Sequence, residues 1–135
     1  SGKAEFSSEV MSSADLKEEE LMLMTLRSHA QFNTTVYGLH DRYRGISNER
    51  RILYMNPEDM KEREVRPLQP VSIRNESGGR VREVAGFLAI PYELPRLAVA
   101  GYFPELNPLV PIDSTAKISN TPTSKSIPVT VQPEL

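Results

Sequence analysis

The apolar residues of this chain fall in short segments that are separated by turn-forming residues. In the clearest case, residues 71–74 and 81–84 alternate apolar and polar side chains on either side of a turn segment, 75–79, that ends in two glycines. This arrangement is typical of a β-hairpin that turns one face toward a core. A helical bundle would need a 3.6-residue period over longer stretches, so the pattern favours a mainly β fold.

Five other apolar segments are predicted to be strands. Leu21–Leu26 is interpreted as a strand buried on both faces, because it forms a nearly continuous apolar run. Ile52–Met55 is predicted to be a second core strand. Residues 87–90, 97–100 and 127–131 are expected to extend and close the sheet.

The connections between these strands carry helix and loop signals. The segment Asn56-Pro57-Glu58-Asp59 predicts the start of a short helix, because it offers a capping side chain, a proline for the first position and acids for the first turn. Residues 28–43 and 104–125 are predicted to be long loops, and loops of that length in a compact domain are usually functional. The architecture expected is a small β-barrel with short helical inserts.

The first 20 residues differ in composition from the rest of the chain. They carry a formal charge of -4, whereas the other 115 residues carry +2. We predict that residues 1–20 are a disordered linker or tail and that residues 21–135 form one domain. No apolar stretch approaches the roughly 20 residues that cross a bilayer, and no secretory signal is visible, so we expect a cytoplasmic location without a membrane span.

The residue inventory excludes several kinds of active site. The chain has no cysteine, which rules out disulfides, thiolate metal ligands and a cysteine nucleophile. Its two histidines, His29 and His40, do not form a His-Glu-x-x-His motif. The chain also lacks a Gly-x-Ser-x-Gly elbow, a P-loop and a Gly-x-Gly-x-x-Gly motif. We therefore expect no catalytic residues and no metal ligands on this chain.

Polar donors follow the first predicted strand directly. Side chains and backbone amides in such a loop can surround an anionic or heteroaromatic ligand. A solvated loop with turn-forming Asn and Thr is an equally good interpretation of the composition. The candidate binding residues are Arg27, Ser28, His29, Gln31, Asn33, Thr34 and Thr35.

A basic stretch lies further along the chain. Four arginines fall between Arg42 and Arg51, and arginine favours phosphate and carboxylate partners. A solvated or interface face is nevertheless the favoured interpretation over a ligand site. Nucleic-acid binding is not expected, because the domain is not strongly basic and lacks interleaved aromatic and basic residues.

Several motifs, taken in order, resemble one family. They are residues 25–38 (Thr-Leu-Arg-Ser-His-Ala-Gln-Phe-Asn-Thr-Thr-Val-Tyr-Gly), Asn56-Pro57-Glu58-Asp59, residues 101–111 (Gly-Tyr-Phe-Pro-Glu-Leu-Asn-Pro-Leu-Val-Pro), Asp113-Ser114, Thr121-Pro122 and Lys125. Over residues 21–135 the chain resembles the C-terminal dinucleotide-binding domain of molybdopterin oxidoreductases, especially the large subunit of formate dehydrogenase-like proteins. The resemblance implies a double-psi β-barrel of the aspartate-decarboxylase-like type.

The resemblance also implies a cofactor and partners. The cofactor would be bis(molybdopterin guanine dinucleotide) with molybdenum or tungsten, shared with the remaining domains of a parent oxidoreductase chain. Those domains would supply the metal ligand, an iron–sulfur cluster and most of the substrate channel, so this chain alone is expected not to be catalytic.

Roles for individual residues follow from the same resemblance. The loop after the first strand would contact pterin and phosphate. Asn107 and Asp113 match the Asn and Asp of the second cofactor loop, and Lys125 matches a basic position after Thr-Pro. Asp113 could accept the paired donors of a guanine edge. We expect the two loops to converge at one end of the barrel. The alternative is a protein- or peptide-binding barrel; a self-processing decarboxylase is excluded, because that chemistry needs a Gly-Ser bond and the chain has none.

Overall fold

The structure is a computed structural model that describes residues 2–8, 15–28 and 38–135. In chain order its elements are β1 (Leu21–Leu26), β2 (His40–Asp41), β3 (Ile46–Ser47), β4 (Ile52–Met55), α1 (Pro57–Glu62), β5 (Pro70–Ser77), β6 (Arg80–Pro91), β7 (Ala98–Tyr102), α2 (Phe103–Leu106), a 3₁₀ helix (Asn107–Leu109) and β8 (Ile127–Pro133).

Six of these strands form a closed barrel in the order β1-β7-β4-β6-β5-β8, with β8 pairing back onto β1. The pairs β1/β7 and β4/β6 are parallel and the other pairs are antiparallel. The predicted mainly β fold, a double-psi β-barrel with short helical inserts, is confirmed. Strands β2 and β3 lie outside the barrel and form a small sheet of their own.

The strand register gives the barrel two distinct ends. Leu26 pairs with Tyr102 in the parallel β1/β7 ladder, so the chain leaves both strands at the same end, which we call the exit end. Strand β4 runs antiparallel to β7, with Met55 opposite Val99. Strand β4 therefore ends at the opposite end of the barrel from the exit end, and α1, which follows β4, lies there too.

The hairpin of β5 and β6 has a shorter turn than predicted. Only Gly78 and Gly79 form it, with φ values of 57° and 68°, a left-handed pair that glycine adopts at little cost. Residues 75–77 belong to β5 instead. Strand β6 continues without interruption to Pro91, and Gly86, with φ 71°, lies where the β5/β6 register shifts.

The prediction that β1 is buried on both faces is wrong. Leu21, Leu23 and Thr25 point into the barrel, whereas Met24 is 48% exposed. No element of the described chain covers the outer face of β1 at that position, so the period-2 alternation of an ordinary barrel strand results. Strand β4 is instead buried on both faces along its whole length, because a second apolar cluster that includes Tyr54 and Tyr102 covers its outer side.

The predicted helix start at Asn56 is confirmed. The Asn56 side chain accepts a hydrogen bond from the Glu58 amide at 2.8 Å, and Pro57 occupies the first helical position. Behind this cap, Asp59 is fully buried and accepts from Arg96 Nε at 2.5 Å and from the Leu97 amide at 2.7 Å. These bonds fix α1 to the start of β7.

Residues 104–125 are not the uniform loop that was predicted. They begin with α2 and the 3₁₀ helix, and Leu106 and Leu109 from these two turns are fully buried in the barrel core. The wrong prediction has a physical cause: prolines at the first turns of both elements start helices as readily as they break them. The remainder is irregular, apart from a bridge between Thr115 and Pro122.

The described part of the first 20 residues lies outside the barrel. Residues 2–8 are exposed. Directly before β1, a hydrogen bond from the Glu20 amide to the Lys17 carbonyl, 3.0 Å long, closes a turn. Disorder of residues 1–20 stays a prediction. None of the helices in the described ranges has the length and apolar character needed to cross a membrane.

Candidate functional site

A cavity of about 380 Å³ opens at the exit end of the barrel. We call it the exit-end cavity. Three chain segments line it: the end of β1, the helical turns after β7, and the last part of the connection into β8. The lining residues are Thr25, Arg27, Phe103, Asn107, Val110, Thr121, Pro122, Ser124 and Lys125.

The register explains why segments far apart in sequence meet here. The ends of β1 and β7 emerge side by side because the two strands are parallel. Strand β8 runs antiparallel to β1, with Ile127 opposite Leu23, so the chain must enter β8 from the exit end. Arg27, Asn107 and Lys125, which the sequence placed in two separate loops, therefore line one cavity.

Lys125 is held against the end of β1. Its ammonium donates to the Thr25 carbonyl and, at 3.4 Å, to Thr25 Oγ1, while that hydroxyl donates to the Ser124 carbonyl at 2.8 Å. Partial burial and the positive charge of Arg27 both lower the pKa of Lys125. Two cations thus face the same small cavity, an arrangement that a bound anion would stabilise.

Part of the cavity lining is apolar. The guanidinium of Arg27 lies 5.5 Å from the centre of the Phe103 ring, within the range of a cation–π contact. Val110 adds aliphatic surface, and the exposed Asn107 amide offers both a donor and an acceptor. Cations beside an aromatic wall suit a ligand that joins phosphate to a planar heterocycle.

Ser28 is the last described residue before a gap in the described chain. It is 4% exposed, and its hydroxyl has no hydrogen-bond partner in the described structure. A buried hydroxyl without a partner is costly in free energy. The other candidates of this loop, His29, Gln31, Asn33, Thr34 and Thr35, lie outside the described residues.

Asp113 does not line the exit-end cavity. It is exposed beside a neighbouring depression of about 270 Å³, which we call the Asp113 depression and whose lining is Asn75, Ser77, Gly78, Pro111, Asp113, Ser114, Ser126, Ile127 and Pro128. Two chain segments line both hollows. Val110 and Lys125 line the exit-end cavity, and the residues that follow them, Pro111 and Ser126, line the Asp113 depression. Hydrogen bonds between Ser114 and Thr123 join these segments.

The arginine stretch, for which a solvated or interface face was the favoured interpretation, is exposed only in part: Arg42 and Arg51 are exposed, whereas Arg44 and Arg50 contact the interior. Arg50 is only 6% exposed: its guanidinium lies 3.8 Å from the centre of the Tyr102 ring, and its Nε is 3.4 Å from Glu105 Oε1. Arg44 forms an ion pair with Asp41 at 2.7 Å. Two of the four arginines are therefore part of the internal structure.

A buried polar network near the cavity was not predicted. Asp41, 1% exposed, accepts from Tyr102 Oη at 2.8 Å and from Arg44 Nη1 at 2.7 Å, and the Tyr54 and Tyr102 hydroxyls lie 3.3 Å apart. Burial alone would raise the pKa of Asp41, but the hydrogen bonds from Tyr102 and Arg44 outweigh it and lower that pKa. Burial raises the pKa of Tyr102 and of Tyr54. No local pattern around Asp41 signals its burial.

No metal centre is evident among the described residues of this chain. Within residues 2–8, 15–28 and 38–135, no three His, Asp or Glu side chains are close enough together to hold a metal ion. His40 is exposed in β2, where it pairs with Ser47. The exit-end cavity itself offers groups that can bind a ligand: two cations, an amide and an aromatic ring.

Comparisons with known proteins agree with this geometry. The chain is 42% identical over 137 residues to an uncharacterized oxidoreductase of Mycobacterium tuberculosis H37Rv, and 33% identical over 143 residues to protein YdeP of Escherichia coli K12. Each alignment covers 98% of this chain but only 18% of the relative, so the chain spans about a fifth of the curated relatives that it matches. The family model of the Molydopterin dinucleotide binding domain matches residues 21–128, which include the whole exit-end cavity. The chain belongs to the molybdopterin dinucleotide-binding domain family.

Proposed function

We propose that this chain is the domain that closes over bis(molybdopterin guanine dinucleotide), with molybdenum or tungsten, in a formate dehydrogenase-like oxidoreductase. The observation that carries the proposal is the pair of cations, Arg27 and Lys125, facing one cavity beside the Phe103 ring. The domain binds the cofactor and is not catalytic alone. When bound, the metal centre supplies the redox chemistry.

The donor set fits the phosphate part of such a cofactor. A phosphate oxygen accepts charge-assisted hydrogen bonds from guanidinium and ammonium groups, each stronger than a bond between neutral partners. Lys125 is already oriented by its bonds to Thr25, so little side-chain entropy remains to be lost on binding. The unpartnered Ser28 hydroxyl is a further buried donor on the same chain segment.

The size of the site supports a shared cofactor. A volume of about 380 Å³ lies at the lower end of the range for a drug-sized ligand, roughly 300–1,000 Å³. A dinucleotide is too long to be enclosed there, so this chain contacts one section of it. The remaining contacts belong to other domains, in keeping with relatives about five times as long as the aligned segment. A metal–thiolate ligand and an iron–sulfur cluster would have to come from those domains, because this chain has no cysteine.

The Asp113 depression extends the proposed site. A dinucleotide whose phosphates lie between Arg27 and Lys125 can continue past the Ser114–Thr123 link into this second hollow. There the exposed Asp113 carboxylate would accept the paired N–H donors of guanine. A cytoplasmic location remains part of the proposal; the cysteine-free sequence is compatible with it.

The cation pair can be tested in a full-length protein that carries this domain. Arg27→Met and Lys125→Met each remove one charge-assisted contact, about 1.5–3 kcal/mol, and are expected to weaken cofactor binding roughly tenfold to a hundredfold. Molybdenum or tungsten content and released guanine nucleotide, measured after gel filtration, report the loss. Lys117→Met is the matched control, because Lys117 is exposed in the same connection and lines neither hollow.

Asp113→Ala separates the guanine contact from the phosphate contacts. It is expected to lower cofactor retention while leaving the fold intact, since an exposed loop carboxylate contributes little to stability. Full metal occupancy in Asp113→Ala would remove this residue from the site. Full occupancy in both Arg27→Met and Lys125→Met would contradict the proposed function.

A further inference from the structure

The segment that contains β2, β3 and Arg50 touches both strand ends that form the exit-end cavity. We propose that Asp41, which no part of the cofactor site includes, is a positioning residue that holds Arg27 and Phe103, the residues just beyond the paired ends of β1 and β7, in place relative to each other. The proposal rests on the proposed function, because it assigns Asp41 a role in keeping the cofactor-binding residues in place.

The first contact is with β7. Tyr102, fully buried, is the last residue of that strand and donates to Asp41 Oδ2 at 2.8 Å. The next residue is Phe103, whose ring forms the aromatic wall of the cavity. A hydrogen bond from a buried hydroxyl to a carboxylate is directional and charge-assisted, so it restricts the strand end that carries Phe103.

The second contact is with Arg27, the residue that follows β1, and Arg44 makes it. Arg44 Nη1 donates to Asp41 Oδ2 at 2.7 Å and to the Arg27 carbonyl at 3.4 Å. One guanidinium nitrogen thus bridges the buried carboxylate and the backbone of a cavity residue. A continuous chain of polar contacts runs from Tyr102 through Asp41 and Arg44 to Arg27.

Arg50 also contacts the end of β7, through the Tyr102 ring. Its guanidinium lies over the Tyr102 ring at 3.8 Å and its Nε faces Glu105 of α2 at 3.4 Å. The hydroxyl and the ring face of Tyr102 are therefore held by two different residues of one segment. This arrangement gives the stretch between Arg42 and Arg51 a role in shaping the cavity rather than in binding the ligand directly.

A purely structural role is the competing explanation, and the barrel supplies a control for it. Asp59 is also fully buried and is bonded to an arginine, Arg96, and to the Leu97 amide. It lies at the α1 end, away from the exit-end cavity. Asp41→Asn and Asp59→Asn each weaken a buried carboxylate–arginine contact, so both are expected to lower stability, but only Asp41→Asn should disturb the cavity.

The first test compares cofactor release from the full-length holoprotein at a temperature where all variants are folded. Asp41→Asn is expected to speed dissociation of the pterin dinucleotide about tenfold, the equivalent of one charge-assisted hydrogen bond. Tyr102→Phe, which removes only the hydroxyl and keeps the ring for Arg50, should give a smaller change of the same sign. Arg44→Met should also speed release, and Arg44→Lys, which keeps the charge, should recover part of the loss. Release from Asp59→Asn should match the wild type.

The second test does not depend on the cofactor. Amide hydrogen exchange of the cofactor-free full-length protein should rise in Asp41→Asn at residues 26–28 and 103–107, and in Asp59→Asn at residues 57–62 and 96–98. Increased exchange in Asp41→Asn that is confined to residues 40–47 would overturn the proposal. Equal release rates in Asp41→Asn and Asp59→Asn would overturn it as well. If Arg27→Met and Lys125→Met keep their cofactor, the proposed function fails on its own, and the exchange result alone decides whether Asp41 positions the two strand ends.

Discussion

Gly101 is the glycine at which an added Cβ would meet the closest contacts. It lies in β7, and a Cβ at this position would be 2.6 Å from Leu106 Cδ1 and 2.7 Å from the Ile52 carbonyl oxygen. The Leu106 side chain could move aside, although it is fully buried. The Ile52 oxygen belongs to the backbone of β4, so relief of that contact requires a shift of one strand against its neighbour.

Gly101→Ala is therefore expected to destabilise the domain by about 1–3 kcal/mol, the range for an overpacked core. For a domain of this size that corresponds to a fall in melting temperature of roughly 4–12 °C. Thermal unfolding followed by circular dichroism measures it. Gly38→Ala is the matched control, because a methyl group added at Gly38 would lie 4.0 Å from its nearest neighbour, the His40 amide nitrogen. Equal melting temperatures for Gly101→Ala and the wild type would refute the packing of β7 against β4 described above.

Three further outcomes are expected. Leu109→Ala should cost about 2–5 kcal/mol in chemical unfolding, because the side chain is fully buried in the core; a cost below about 1 kcal/mol would mean that the 3₁₀ helix does not pack on the barrel. The folded-state pKa of Asp41 is lowered from 3.8, so its contribution to stability is complete above that pH and is lost as the pH falls through the lower folded value. The stability gap between wild type and Asp41→Asn should thus shrink below about pH 4, and an equal gap at pH 2 and pH 7 would argue against the network. Amide exchange should be fast across residues 5–18, and strong protection there would show that the tail prediction is wrong.

Local sequence signals were sufficient wherever one residue type dictates one geometry. Asn56 and Pro57 start α1 where expected, and the two glycines at 78–79 turn the hairpin. The apolar segments of β4, β7 and β8 are also strands, with ends shifted by at most two residues. These elements depend on neighbours within a few positions, so a single sequence contains what is needed to predict them.

Long-range pairing decided the features that the sequence did not reveal. Whether a face of β1 is covered depends on which strands flank it, and Met24 is exposed because nothing in the described part of the chain packs over it. Asp41 and Arg50 have the composition of a solvated segment, yet both are buried because Tyr102, more than 50 residues away, supplies a hydroxyl to one and a ring face to the other. The meeting of Arg27, Asn107 and Lys125 likewise follows from parallel pairing of β1 with β7, which no local pattern encodes.

The structure of a full-length holoprotein carrying this domain would test the central claim most directly. The measurement is the distance from the cofactor's phosphate oxygens to Lys125 Nζ and to the Arg27 guanidinium. We predict hydrogen-bond distances, about 2.7–3.2 Å, to at least one of these two groups, with the guanine edge at Asp113. A cofactor whose nearest approach to this domain lies at the α1 end, beside Asp59 and Arg96, would contradict the account.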